Sequence, residues 1–431
     1  MNVLFACEYF PPFAPGGAEW SILLQARELV RRGHRVTVVT PNYGAKHHEE
    51  MDGIEVQRFT WRHAQPGQAS VRALWNQNPV FYLLFAWHLI RVARRIGANV
   101  IHAQHANALP GAYLAARLIR RPVFFTVRDT GLICPFGALC LLQHDVIPAD
   151  CGLIKIEREC SEQYLRDYGA QSIARRVRVK LGLPLAWVDV ALKKAILRRV
   201  DGIVGVSRGI LRVYESVGLI ATGQGHPVYT QPPEAGTVKA ADPGRARARF
   251  GLNGRPVVLY VGKQSPGKGT AVFIEAADIV ATEHPETIFV LAGKGAIAAR
   301  PSHAQVHFLG SLPQTELFDL YALADLVVVP SIWPEPLSRV ILEAAAFGKP
   351  CIGTNVGGTP EAILNGETGL IVPRGDAQAL ARAILDLLKN DEQRVKMGQR
   401  AQEFVAERFN ADTAIGLLVS IYEAGIRKWQ R

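Results

Sequence analysis

The sequence of 431 residues has no apolar run of the roughly 18 residues that would cross a bilayer. Its start, MNVLFACEYF, lacks the basic opening and small-residue cleavage site of a secretory leader, and reads as a buried strand. The compartment expected on these grounds is the cytoplasm. No Asp-x-Asp pair occurs anywhere, so one common carboxylate arrangement for holding a divalent cation is missing. Cysteine is scarce. Of six in all, four fall in one stretch, Cys134, Cys140, Cys151 and Cys160, at spacings unlike the C-x2-C of common zinc sites. Ordinary thiols, a local metal or redox cluster, and a disulfide all remain open, although disulfides are rare in a reducing compartment. Acidic residues are short in the first half only: residues 1–225 hold 17 Asp and Glu against 28 Lys and Arg, whereas residues 226–431 hold 21 of each. The whole net charge of +11 therefore sits in the first half. Such a field attracts nucleic acid, anionic lipid or phosphorylated substrates. No nucleic-acid recognition motif accompanies the charge, and no nucleic-acid partner is expected.

With 48% hydrophobic and 20% charged residues, the chain is neither disordered, fibrous nor a small disulfide scaffold. Its length suits two domains. The second half alternates short β-rich runs (256–261, 287–292, 305–309, 326–330, 350–353, 369–372) with helical patterns such as 270–282 and 339–347. The first half repeats the plan, with strands expected at 2–6, 35–40, 100–103, 123–127 and 202–206. Alternation of this kind implies parallel sheets covered by helices on both faces. The fold class expected is α/β, with two Rossmann-like doubly wound domains facing a cleft. The Pro- and Gly-rich stretch 221–254 places the boundary near residue 235. The N-terminal domain, 1–235, carries a basic, Cys-containing insertion at about 134–200. The C-terminal domain, 236–431, ends in three helical segments from residue 377, the last of which (about 410–431) could pack back on the first domain.

Two motifs carry chemistry. The first, GKQSPGKG at 262–269, follows a strand and opens a helix, a setting whose free amides and helix dipole suit phosphate. It resembles the NTPase loop G-x4-G-K-[ST], but Gly269 stands where the magnesium-binding hydroxyl belongs, so two lysines aimed at a diphosphate without metal is the better reading. The second is SIWPEPLSRVILEAAAFGKP at 331–350. Glu335 lies in a Pro-rich loop. Glu343 falls one and a half turns into the next helix, roughly 8–10 Å away at 1.5 Å per residue. Glu343 sits among Leu342 and three alanines, and a carboxylate in apolar surroundings is rarely buried without a partner.

This E-x7-E block, with PS before it and EA-x3-GKP after it, resembles family four of the retaining GT-B glycosyltransferases. PGGAE at 15–19 is similar to that family's N-terminal glycine loop, Val306–Gly310 with Leu312 to its base-contacting loop, and GGTPE at 357–361 and GETG at 366–369 to its later signatures. The resemblance runs from residue 1 to about 425. It implies that Gly16 and Gly17 let backbone approach the donor diphosphate and sugar. It also implies that Lys263 and Lys268 neutralise the leaving diphosphate, that Glu335 with the backbone of Leu337 and Ser338 holds the donor sugar, and that Glu343 binds the ribose. Lys263 stands where arginine is more usual, which keeps the charge and loses the bidentate fork.

The family's T-x-H-D histidine is replaced: the run here is Thr126-Val127-Arg128-Asp129. Arginine is no base near neutral pH but binds anions. Arg128 is thus a catalytic candidate, and His102, His105 and Asp129 are acceptor candidates. The linker's usual N-G-[VI]-D is also absent. The activity that the resemblance implies is a retaining transfer of a sugar from a nucleotide-sugar to an acceptor hydroxyl on a lipid-linked or polysaccharide-precursor glycan, with no cofactor and no divalent metal. The rivals are a non-catalytic nucleotide-sugar-binding subunit and an epimerase or phosphorylase on the same fold. Finally, residues 78–98 and 172–199 mix apolar and basic side chains. They suit either a helix on an anionic membrane surface, which would make the protein peripheral on the inner face, or core helices with a solvated basic face.

Overall fold

The computed structural model describes residues 1–61, 76–148, 150–168, 172–252, 254–295, 301–302 and 304–430; four residues of the basic insertion, 149 and 169–171, thus lie outside it. The chain divides into two compact units, Met1–Thr230 with Ala411–Arg431, and Gln231–Asn410.

Unit 1 holds an eight-stranded sheet. Its strands are β1 (Asn2–Ala6), β2 (Arg35–Pro41), β3 (His48–Met51), β4 (Ile54–Phe59), β5 (Val100–Ala103), β6 (Val123–Val127), β7 (Gly202–Gly205) and β8 (Gly225–Pro227). They lie in the order β3-β4-β2-β1-β5-β6-β7-β8, parallel throughout except for the β3–β4 pair. The strands NVLFA and VFFTV are mostly apolar and buried almost from end to end because helices cover both faces. Helix α1 (Gly17–Arg31) connects β1 to β2, while α2 (Pro79–Ile96), α3 (Leu109–Ile119) and α4 (Ile173–Leu197) connect strands that step the other way. Right-handed crossovers therefore put α2, α3 and α4 together on one face and α1 on the other. A further helix, α5 (Arg208–Ser216), joins β7 to β8.

Unit 2 has six parallel strands, β9 (Val257–Val261), β10 (Ile288–Ala292), β11 (Gln305–Gly310), β12 (Leu326–Val329), β13 (Cys351–Thr354) and β14 (Gly369–Val372), in the order β11-β10-β9-β12-β13-β14. Its longer helices are α6 (Pro243–Phe250), α7 (Thr270–Glu283), α8 (Gln314–Leu323), α9 (Arg339–Ala346), α10 (Ala377–Lys389) and α11 (Asp391–Arg408). The chain then returns to unit 1 as α12 (Ala411–Gln430), whose Ile415, Leu418, Ile421 and Tyr422 join Ile22, Leu23 and Ala26 of α1 in one core. Both units have the Rossmann-like plan that the alternating pattern predicts. Strands β3, β4 and β8 are additions to it. The first two read HEEM and IEVQRF, too polar to stand out as buried strands, and the third is only three residues long.

Strand order reverses between β1 and β5 in unit 1 and between β9 and β12 in unit 2. In open parallel sheets the loops that part at such a point form the ligand crevice. In unit 2 the two loops are locked together by backbone: Ile332 and Trp333 both donate their N–H to the Gly267 carbonyl at 3.0 Å. Gly269 makes that approach possible. Its φ is +68°, and a Cβ there would lie 1.8 Å from the Pro330 carbonyl oxygen. Gly269→Ala is expected to cost about 3 kcal/mol or more in denaturant unfolding, from left-handed strain plus the clash. Gly366→Ala, with φ +84° and nothing within 4 Å, isolates the strain and is expected to cost only about 1–2 kcal/mol. Equal losses would show that the close approach contributes nothing.

Candidate functional site

The loops after β9 and β12 bring Lys268 and Glu335 into contact. The Lys268 ammonium donates to Glu335 Oε2, and Ser331 Oγ donates to the same oxygen at 3.2 Å. Glu335 is buried, so this charge withdrawn from water has the cation that burial demands. Its other oxygen takes no hydrogen bond among the described residues. The loop after β13 closes over the same residue. Gly358 donates its N–H to the Glu335 carbonyl at 2.7 Å, and a Cβ on Gly357 (φ +53°) would meet that carbonyl oxygen at 2.1 Å. Lys263 is exposed at the mouth of the β9 loop, and its ammonium has no partner among the described residues. Leu337 and Ser338 are buried where α9 begins.

Glu343 is the fifth residue of α9 and is buried, as its apolar neighbours imply. Its partners were not legible together. Tyr321 of α8 donates to Oε2 at 2.9 Å and Arg339 Nη2 donates to Oε1 at 2.9 Å. The i,i+4 spacing of Arg339 and Glu343 signals their pairing, but nothing in the sequence points to Tyr321. Two bonds leave about half of the carboxylate's four acceptor directions open, and Arg339 Nη1 is a buried donor without a partner. Spare acceptor and spare donor therefore stand together. Leu312 is half-buried just after β11, whose last residue, Gly310, accepts the Gly293 N–H at 2.6 Å.

In unit 1 the loops after β1, β5 and β6, three neighbouring strands, gather the remaining candidates. Gly16 caps α1 and donates its N–H to Glu19 Oε2 at 3.0 Å, and Gly16 and Gly17 are both exposed. Burial drives the Glu19 carboxyl up, but the His105 imidazole and the Gly16 amide outweigh it and hold the group below the usual carboxylate range. His105 Nδ1 accepts the Glu8 N–H at 3.1 Å, so the ring proton is on Nε2, 3.4 Å from Glu19 Oε1. Arg128 Nη2 donates to Gln104 Oε1 at 2.6 Å. Among the described residues Arg128 has no carboxylate within ion-pair distance, and its Nε is buried without a partner. Burial pushes its pKa down to about 10 against the opposing pull of Cys7, Glu19 and Asp129, which leaves the guanidinium charged at neutral pH. Asp129 is exposed and turns its carboxylate to the Gly131 N–H at 2.7 Å rather than to Arg128.

His102 corrects the sequence reading. It is wholly buried, with Nδ1 2.5 Å from the Tyr422 hydroxyl and Nε2 2.7 Å from Thr126 Oγ1, so neither ring nitrogen is free for an acceptor. The four clustered cysteines are free thiols. Cys134 and Cys160 pack with Ile156 and Leu183 in a small core, and burial pushes Cys140 up to about 12 and Cys160 up to about 11. Among the described residues no group of three or more His, Cys, Asp or Glu could hold a metal ion.

Two family profiles cover most of the chain, one described as Glycosyltransferase Family 4 over residues 15–222 and one as Glycosyl transferases group 1 over residues 245–404. The chain belongs to the group 1 glycosyltransferases. Over 184 residues it is 33% identical to the alpha-D-kanosaminyltransferase of Streptomyces kanamyceticus, covering 41% of this chain and 47% of that protein. The chain spans about half the length of the first curated relatives it matches. Sucrose-phosphate synthase from Thermosynechococcus elongatus matches its structure with a TM-score of 0.70 at 20% identity, covering 98% of each chain. HepE from Anabaena, solved in complex with UDP and glucose, matches with a TM-score of 0.68 at 19% identity, over 98% of this chain and 100% of that one. The fold of this group 1 glycosyltransferase is accordingly GT-B.

Burial holds the His102 pKa down at about 3, with the Arg128 charge adding to the effect. Because the folded value lies below the unfolded value of about 6.5, the unfolded chain takes up a proton first as pH falls. The stability involved is complete above about pH 6.5 and is lost on acidification toward pH 3, at up to about 1.4 kcal/mol per pH unit. Between pH 7 and 5, His102→Gln is therefore expected to lose about 2 kcal/mol less unfolding free energy than wild type. Identical losses in denaturant titrations would place His102 in solvent.

Proposed function

We propose that the protein moves a sugar, with retention at the anomeric carbon, from a nucleotide-sugar donor to an acceptor hydroxyl. The observation that carries this reading is the Lys268–Glu335 contact where the strand order of unit 2 reverses, with Lys263, exposed and without a partner among the described residues, in the same loop as Lys268. Breaking the donor's glycosidic bond leaves negative charge on the departing diphosphate. Lys263 and Lys268 neutralise it, and preplaced charge of this kind is usually the largest electrostatic contribution to catalysis. Glu335 holds Lys268 in place before the donor arrives and offers its open oxygen to the donor sugar, beside the backbone of Leu337 and Ser338. Glu343 and Arg339 take a ribose hydroxyl, which donates to the first and accepts from Nη1 of the second. Leu312 contacts the base. The exposed Gly16 and Gly17 admit the diphosphate and sugar to close backbone approach.

The acceptor, a lipid-linked or polysaccharide-precursor glycan, is assigned to unit 1 with Arg128, His105 and Asp129. Among the described residues Arg128 lacks a carboxylate partner, so an anionic group on the acceptor satisfies it. No divalent cation is required, because the two lysines supply the counter-charge. A second reading, a subunit that binds nucleotide-sugars without turnover, draws on Arg128 standing in the place of the family's histidine. A thermal-shift screen against UDP-, GDP- and ADP-sugars identifies the donor, and donor hydrolysis separates the two readings.

Once the donor is known, Lys263→Ala is expected to lower kcat/KM about 10- to 150-fold, the loss of one charged hydrogen bond. Its stability should stay within about 0.5 kcal/mol of wild type, since the side chain is exposed and unpaired. Activity should survive EDTA. Wild-type kcat/KM in the variant, or loss with chelator and rescue by Mn²⁺, would defeat the lysine assignment.

Arg128 supplies a test of the acceptor side. Arg128→His restores the common family residue yet should lower kcat/KM on the native acceptor, because a neutral imidazole lacks the permanent charge and the fork of donors. Wild-type kinetics in both Arg128→His and Arg128→Ala would remove Arg128 from the site.

A further inference from the structure

We propose that α4 is a membrane-surface helix that seats unit 1 on anionic lipid. Six large apolar side chains of α4, Ile173, Val177, Leu181, Leu185, Val188 and Leu192, are between 45% and 78% exposed. Their spacing is four, four, four, three and four. At 3.6 residues per turn they fall within about 120° of arc. Exposed Ala174, Pro184 and Ala191 fill the same stripe, and no charged residue interrupts it. A lone exposed leucine needs no explanation, but a contiguous apolar stripe five turns long marks a surface that something covers.

The helix is not free to roll the stripe inward. Its opposite face is buried through Leu183, Val190, Lys193 and Leu197. It is also tied to α2, where Tyr82 donates to Asp189 Oδ1 at 2.5 Å, and to the loop after β5, where Lys193, itself bonded to Asp189 Oδ2 at 2.6 Å, donates to Asn107 Oδ1 at 2.5 Å. Helices α2 and α3 share that face of the sheet and add exposed Val80, Leu83, Trp87 and Leu118, with the Arg91 guanidinium 4.6 Å from the Trp87 ring.

Charge selects the occupant. Arg176 and Lys180 flank the stripe on one side and Arg178 on the other, with Arg175 in the same turn. Glu162 pairs with Arg176, and Glu157 and Glu162 pair with Lys180, which leaves the helix edge net positive. A second copy of this chain would set like charges against each other, whereas an anionic leaflet supplies the complement. The geometry is that of a helix lying in the interface, its apolar face in the acyl boundary and its basic rim at the headgroups. Among the described residues no helix is long and apolar enough to cross a membrane.

Sedimentation of the full chain with vesicles tests this. Wild type is expected to sediment with phosphatidylcholine vesicles containing a third of phosphatidylglycerol, to bind pure phosphatidylcholine more weakly, and to be released by salt. Leu181→Glu with Leu185→Glu should lower the partition coefficient about 100-fold or more, since each buried leucine is worth about tenfold. Both positions are exposed, so the circular dichroism spectrum and the thermal shift with nucleotide-sugar should not change. Three results would overturn the proposal. Wild type could stay in the supernatant with anionic vesicles. The double variant could sediment as wild type does. Or wild type could form a dimer in solution, broken by the double variant, without binding vesicles, which would make a second copy the occupant. None of these results depends on the donor assignment.

Discussion

Parallel strands cannot be joined by tight turns; each must be left at its carboxyl end and re-entered after a crossover. When the crossovers change direction, two neighbouring loops part company and leave room for a ligand. Much of the candidate site of this protein occupies such places. In unit 2 the reversal falls between β9 and β12, and the loops there carry Lys263, Lys268 and Glu335. In unit 1 it falls between β1 and β5; the loop after β1 and the first turn of α1 carry Gly16, Gly17 and Glu19, and the loop after β5 carries His105. The apolar strands that build the sheets are thus also what positions the polar groups.

The second constraint is the cost of an unpaired charge away from water. Each buried carboxylate at these loops has named partners. Glu335 has Lys268 and Ser331, Glu343 has Tyr321 and Arg339, and Glu19 has Gly16 and His105. The same rule holds for Asp189, whose bonds to Lys193 and Tyr82 fix the roll of α4. Against this background Arg128 stands out, a half-buried guanidinium bonded to a carboxamide and, among the described residues, to no carboxylate. A cation left in that state is a place for an anion to bind.

Much of this was legible in the residues. Strands such as VVLYV and IFVLA declare themselves because a sheet buried on both faces needs side chains that are apolar without interruption. GKQSPGKG and the E-x7-E block are local, and local sequence places them on a loop and a loop-plus-helix. The environment of His102 was not legible. It is the third residue of β5, near the strand's end, and so looks like a polar residue facing the loops, yet its Nδ1 meets the hydroxyl of Tyr422, 320 residues on. No periodicity announces a contact made by the last helix returning to the first unit.

The sequence by itself determined the two α/β units, the loops that carry the lysines and glutamates, and the family, because these rest on local patterning and on motifs whose residues are near neighbours. Tertiary structure alone decided which polar groups are satisfied inside and which are open to a ligand. It also decided the meaning of the apolar and basic stretch around residues 172–199. Leu183, Val190 and Leu197 point inward while Leu181, Leu185 and Val188 point to solvent. Both sets are apolar and both recur at helical spacing. Only the neighbours contributed by α2 and α3 make one of them the core, and composition holds no information about where those neighbours lie.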